Sequence, residues 1–76
     1  METGTVKWFR DDKGFGFIVP DRPTLSGKME LFVHQTVVRM EGFRTLVMGE
    51  RVRFNIGKGP DGRDQAIDVE RLDPVS

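Results

Sequence analysis

Between Arg51 and Ile56 the chain alternates without a break: Val52, Phe54 and Ile56 are apolar, while Arg51, Arg53 and Asn55 are polar. Successive side chains of a strand point to opposite faces, so this segment predicts a strand with one buried side. The same reading predicts strands over Thr5–Arg10, Gly14–Val19, Leu31–His34 and Gln65–Arg71. Asp11-Asp12-Lys13-Gly14 turns the chain after the first, and Pro20 stops the second. Gly57-Lys58-Gly59-Pro60-Asp61-Gly62 reverses it after the fourth. Pro20 to Met29 is a loop of Pro, Ser, Gly and charged residues, Gln35–Met40 a helical turn, and Glu41–Gly49 an irregular connection. Five short antiparallel strands with Gly-rich turns predict an all-β chain closed into a small barrel.

Alternation assigns Val6, Ile18, Leu31, Val33, Val52, Phe54, Ile56, Ile67 and Val69 to the inside. That set fills a core of this size and leaves Trp8, Phe15, Phe17 and Phe32 outside, the alternative being that they are core residues themselves. Phe9 follows Trp8 and points the other way unless the strand is bulged; core and rim both stay open for it. An exposed aromatic cluster marks a binding surface. Flat rings interleaved with Lys7 and Lys13 suit the unstacked bases and phosphates of a single-stranded nucleic acid.

A chain of 76 residues predicts one domain, 1–76, burying roughly 60% of its unfolded surface. It has no cysteine, which excludes disulfides, thiolate metal sites and a thiol nucleophile. No apolar run approaches the ~20 residues of a bilayer span and no signal-type segment opens the chain, so a cytoplasmic protein is expected, with no membrane partner. Twelve basic residues balance twelve acidic ones. With a pI near 6.6, long-range attraction for a polyanion is weak and local patches must do the docking. Lys7, Arg10, Lys13, Arg44, Lys58 and Arg63 fall on or near the aromatic face, whereas Glu2, Asp68, Glu70 and Asp73 lie toward the ends. Binding by stacking, with a shallow salt dependence, follows.

Lys13-Gly14-Phe15-Gly16-Phe17-Ile18 resembles the first ribonucleoprotein motif of the cold-shock domain, and Leu31–His34 the second. Gly4-Thr5-Val6-Lys7-Trp8-Phe9 before them, and Glu41-Gly42-Phe43-Arg44-Thr45-Leu46 with Gly49-Glu50 after them, extend the match from about Gly4 to about Arg71. The resemblance implies a five-stranded antiparallel barrel of the OB type. Val33-His34-Gln35 and Met40-Glu41-Gly42-Phe43-Arg44 look more like plant and animal cold-shock domains than the compact bacterial ones, and the Pro20–Met29 loop is longer than theirs.

His34, the only histidine, lies beside Phe32 on the strand pattern, and the resemblance makes it a further stacking ring; a structural histidine is the alternative. At Gln35 bacterial members commonly carry an aromatic residue. Here an amide able to bond a base edge replaces a platform, unless it is a capping or solvated glutamine. The resemblance makes Phe43 another platform with Arg44 beside it for phosphate or cation–π contact; otherwise Phe43 pins its loop to the barrel. Glu30 matches an acidic family position that accepts from a base amino group. Arg63 is a phosphate contact or a solvated turn residue.

These residues predict a binder of single-stranded RNA and DNA, monomeric, with no cofactor, no small-molecule substrate and passive chaperone activity on folded RNA. The resemblance points to roles in translation, transcript structure or cold adaptation. A module that docks a protein on the same face is the rival reading, since small barrels host many functions. An enzyme is disfavoured, because no nucleophile, carboxylate pair or second histidine is placed around His34.

Overall fold

A computed structural model describes residues 2–23, 27, 29–39 and 45–72. Five strands, β1 (Glu2–Arg10), β2 (Phe15–Pro20), β3 (Leu31–His34), β4 (Arg51–Lys58) and β5 (Asp64–Arg71), close into a barrel in the order β1-β2-β3-β5-β4. The helical turn after β3 is a 3-10 turn over Gln35–Val37. The expected barrel is correct, but not every pairing is antiparallel. β3 runs parallel to β5, with Phe32 in register with Gln65. Geometry requires this: around a closed ring of five strands, direction cannot alternate at every step, so one neighbouring pair must be parallel.

Ten residues, each no more than 4% exposed, form the core: Val6, Ile18, Leu31, Val33, Val38, Leu46, Val52, Phe54, Ala66 and Val69. Each full-size apolar side chain taken out of water contributes roughly 1.5–3 kcal/mol. Val38 and Leu46 come from connections rather than strands, and Val38 reaches its place through a parallel bridge to Val69.

Two residues expected inside are not there. The register shifts between Arg53 and Asn55, where β5 carries an extra residue at Asp68 with φ 51°. This bulge turns Ile67 outward, where it lies over Gly57, and gives the inner position to Ala66. Aspartate tolerates a left-handed backbone better than most residues, and the Asp68 carboxylate accepts bonds from Arg39 (3.1 Å) and Asn55 (3.3 Å). Ile56 keeps its alternation with Phe54 but is 37% exposed.

Where β2 ends, Asp21 ties three segments together. Arg51 of β4 donates to both its oxygens, at 2.7 and 2.6 Å, and Thr3 of β1 donates at 2.6 Å. The Arg51 hydrogen bonds, then the Thr3 bond, hold the Asp21 carboxyl well below the usual carboxylate range. A depressed folded-state pKa stabilises the fold above the ordinary carboxylate range and loses that contribution as pH falls through and below it. Asp21→Asn is therefore expected to lower the melting temperature at pH 7, with the gap to wild type closing under acid. Equal gaps at pH 7 and pH 2 would show that Asp21 acts only through shape.

Candidate nucleic-acid interface

The face formed by β1, β2 and β3 carries an unbroken chain of rings. Opposed residues of paired strands share a face, and the register sets Trp8 opposite Phe17, Phe17 opposite Phe32, and Phe15 opposite His34. Ring centroids lie 6.0 Å apart for Trp8–Phe15, 5.2 Å for Trp8–Phe17, 5.7 Å for Phe15–Phe32, 6.0 Å for Phe17–Phe32 and 6.4 Å for Phe32–His34. All five rings are half-buried, packed edge-on or tilted against one another.

Trp8 reaches this face through a bulge. Val6 pairs with Ile18 and points inward, so strict alternation would send Trp8 inward too. The register instead slips between Val6 and Trp8, leaving Lys7 as the extra residue. Phe9 then lies opposite Gly16 and packs against the core, which resolves its two readings. The bulge was legible as a parity conflict: Val6 inside and Trp8 outside, two residues apart, need one residue more than a regular strand supplies.

The polar residues around the rings are paired. Lys7 donates to Glu30 at 2.6 Å, Lys58 to Asp64 at 2.5 Å, and Arg63 and Arg10 sit 3.5 and 3.4 Å from Asp61 and Asp12. Acids are thus set among the cations of the face as well as toward the chain ends. Lys13 has no ion-pair partner among the described residues. Exposed pairs of this kind contribute only about 0–1 kcal/mol, so an incoming phosphate displaces a carboxylate at small cost.

His34 caps the 3-10 turn. The Thr36 amide donates to its Nδ1 at 3.2 Å, and the Thr36 hydroxyl lies 3.0 Å from the same atom. An amide hydrogen only donates, so Nδ1 supplies the lone pair and the neutral ring carries its hydrogen on Nε2. The Gln35 side-chain amide packs over the β1–β2 turn, 3.0–3.3 Å from where a Cβ on Gly14 would sit, and the Gln35 backbone N–H donates to the Gly14 carbonyl at 2.8 Å. Gln35 therefore borders the ring face beside Phe15 and His34. Phe43 and Arg44 lie outside the described residues.

Glu30 and Arg63, far apart in sequence, meet at the other end of the face. With Phe17, Phe32, Pro60, Asp61, Asp64 and Gln65 they line a hollow of about 470 Å³. Gln65 arrives through the parallel β3–β5 pairing, which single strands in a sequence do not reveal. Pro60, Asp61, Asp64 and Gln65 were not singled out in the sequence.

This is a small closed β-barrel with a solvent-facing aromatic sheet and, among the described residues, few unpaired charges, the form of a nucleic-acid-binding module. The 'Cold-shock' DNA-binding domain model matches residues 2–72, and the chain belongs to that family. Its barrel is accordingly of the OB type, and nucleic acid is its class of ligand. The chain is 58% identical over 66 residues to Glycine-rich protein 2 of Nicotiana sylvestris, covering 87% of this chain but 29% of that protein. It is 50% identical over 62 residues to Cold shock-like protein CspA of Stigmatella aurantiaca, covering 82% and 85% of the two. Against Cold shock-like protein CspD of Escherichia coli K12 it is 44% identical over 69 residues, covering 91% and 88%. The chain thus spans under a third of the plant relative and most of the bacterial ones. Among the described residues no helix is long and apolar enough to cross a membrane.

Proposed function

We propose that the chain binds single-stranded RNA, and single-stranded DNA comparably, by stacking bases on Trp8, Phe15, Phe17, Phe32 and His34, with Phe43 as a further platform. The observation that carries this is the ring chain, five contiguous aromatic side chains with neighbouring centroids 5.2–6.4 Å apart. An apolar surface of that extent is costly to leave wet unless a ligand covers it, and each stacked base is worth roughly 1–3 kcal/mol. Duplexes bind poorly, because their bases are already stacked on one another. Lys7, Lys13, Arg44 and Arg63 meet phosphates, while Glu30 and Gln35 meet base edges.

The consequence is chaperone activity without chemistry. Trapping unpaired segments pulls RNA hairpins toward open forms by mass action, and the protein works as a monomer rather than an enzyme, in the cytoplasm. Because most cations of the face carry their own acid, few counterions are released on binding. Neutralising no more than four phosphates gives a slope of log K against log salt no steeper than about −2.8.

Titration of Trp8 fluorescence with oligothymidine, oligouridine and a matched duplex, at two salt concentrations, tests the reading. Strong quenching by both single strands, little by the duplex and a shallow slope are expected. Flat titrations throughout would hand the aromatic face to a protein partner.

A further inference from the structure

His34 ends the chain of rings, and its edge is more constrained than its face. Thr36 addresses Nδ1 twice: its backbone amide donates at 3.2 Å, and its hydroxyl lies 3.0 Å away. Both groups belong to the 3-10 turn that His34 caps. An amide N–H only donates, whereas a hydroxyl donates or accepts. In the neutral ring Nδ1 therefore accepts and the hydrogen sits on Nε2. When the ring takes a second proton, the new Nδ1–H donates to the Thr36 hydroxyl, which reverses its role. Nε2 carries a hydrogen in both charge states, and among the described residues nothing accepts from it. The ring edge thus offers a ligand a donor and never a lone pair.

We propose that Thr36 is a positioning residue that keeps His34 a donor at Nε2, and that this N–H binds a phosphate oxygen of the bound strand. The inference rests on the stacking role given above, and it adds a contact that stacking does not contain. A ring N–H lies in the plane of its own ring. A base stacked on the His34 face lies above that plane, so the donor misses the base that the ring carries. What passes the edge of a stacked base is the backbone linking it to the next one. An ionised phosphate oxygen is the strongest acceptor there.

A neutral donor also suits this face. Lys7, Lys58, Arg63 and Arg10 already hold carboxylates, and each must exchange one for a phosphate. The Nε2–H of His34 exchanges only water. An uncharged ring releases no counterion, so its bond adds affinity without steepening the salt dependence.

Because His34 is the only histidine, nitrogen NMR of the labelled protein reads a single ring. A hydrogen on Nε2 and a bare Nδ1 are expected in the neutral state, and the reverse assignment would overturn the proposal. Thr36→Val keeps the amide and the side-chain shape but loses the hydroxyl, in a turn that contains no buried residue. The two nitrogen shifts are expected to move toward one another as the second tautomer appears, and Thr36→Ser to restore them. An unchanged spectrum in Thr36→Val would strip the Thr36 side chain of its positioning role.

Trp8 quenching then compares wild type with His34→Phe, each titrated with oligothymidine and with its uncharged methylphosphonate analogue. His34→Phe keeps a stacking ring and lacks the donor. On the phosphate strand wild type is expected to bind about fivefold more tightly than His34→Phe, the size of one net hydrogen bond. On the neutral strand this advantage is expected to fall toward one. Any difference in stacking between the two rings appears on both strands and cancels. An advantage sustained on the neutral strand would overturn the phosphate contact and assign Nε2–H to a base carbonyl. Equal binding by both proteins on both strands would show that the ring edge makes no bond at all, and would leave the stacking face intact. Absence of quenching by either strand in wild type would remove the stacking reading on which the proposal depends.

Discussion

Phe32→Ala is expected to weaken binding of oligothymidine and oligouridine by about 2 kcal/mol, or roughly thirtyfold in Kd. Phe32 is the hub of the ring chain: it touches Phe15, Phe17 and His34, and it also walls the hollow. Truncating it removes one stacking surface and leaves three neighbouring rings without lateral support. Trp8 packs on Phe15 and Phe17, so it stays in place as the fluorescent reporter. The buried residues either side of Phe32, Leu31 and Val33, point to the opposite face and are untouched. The variant should therefore melt cooperatively, close to wild type. Full affinity in Phe32→Ala would mean that the rings on β2 and β3 are not where bases sit.

A contrast with Arg10 or Lys58 substitutions follows from the same geometry. Those cations already carry carboxylate partners on the surface of the protein, and exposed pairs contribute little. Rings, unlike these charges, have no internal surrogate for the ligand. The proposed stacking would thus concentrate binding energy in the aromatic positions, letting a chain of zero formal net charge serve a polyanion.

What the sequence discloses is what alternation governs. Phe15, Phe17 and Phe32 stand on regular strands, so their shared face follows from parity, and seven of the expected inward residues are fully buried for the same reason. Parity fails where a strand gains a residue. The bulge at Lys7 sends Trp8 outward and Phe9 inward; that at Asp68 exchanges Ile67 for Ala66. The first shows locally as the parity conflict between Val6 and Trp8, whereas the second is decided by fit to the neighbouring strand, which no local pattern contains. Contacts between distant segments were equally hidden. Lys7 and Glu30 were each singled out in the sequence but not as partners of one another, and Gln65 joins the hollow only because barrel closure sets β5 beside β3.

Gly16→Ala is expected to cost the most stability of the glycine-to-alanine changes among the described residues, about 3 kcal/mol or more. A Cβ at Gly16 would lie 2.1 Å from the Trp8 carbonyl oxygen, 2.7 Å from the Phe9 Cα and 2.9 Å from the Phe9 ring. The first two are backbone atoms of the strand directly opposite, held by the β1–β2 ladder, so neither yields without opening it. A domain of this length has only about 4–11 kcal/mol in total, so denaturant or thermal unfolding should show the loss at once. Gly62→Ala provides the comparison: φ there is +81°, but nothing lies within 4 Å of the added carbon, and left-handed strain alone costs about 1–2 kcal/mol. The close approach at Gly16 also shapes the ring face. It lets the bulged β1 lie tightly against β2, which brings Trp8 within 5.2 Å of Phe17 and makes the indole part of the ring face. Where Gly16→Ala still folds, below its melting point, the strands must part and Trp8 quenching by oligouridine should weaken with them. Wild-type stability and quenching in Gly16→Ala would show that Trp8 reaches the face without that approach, and that the bulge at Lys7 is sufficient by itself.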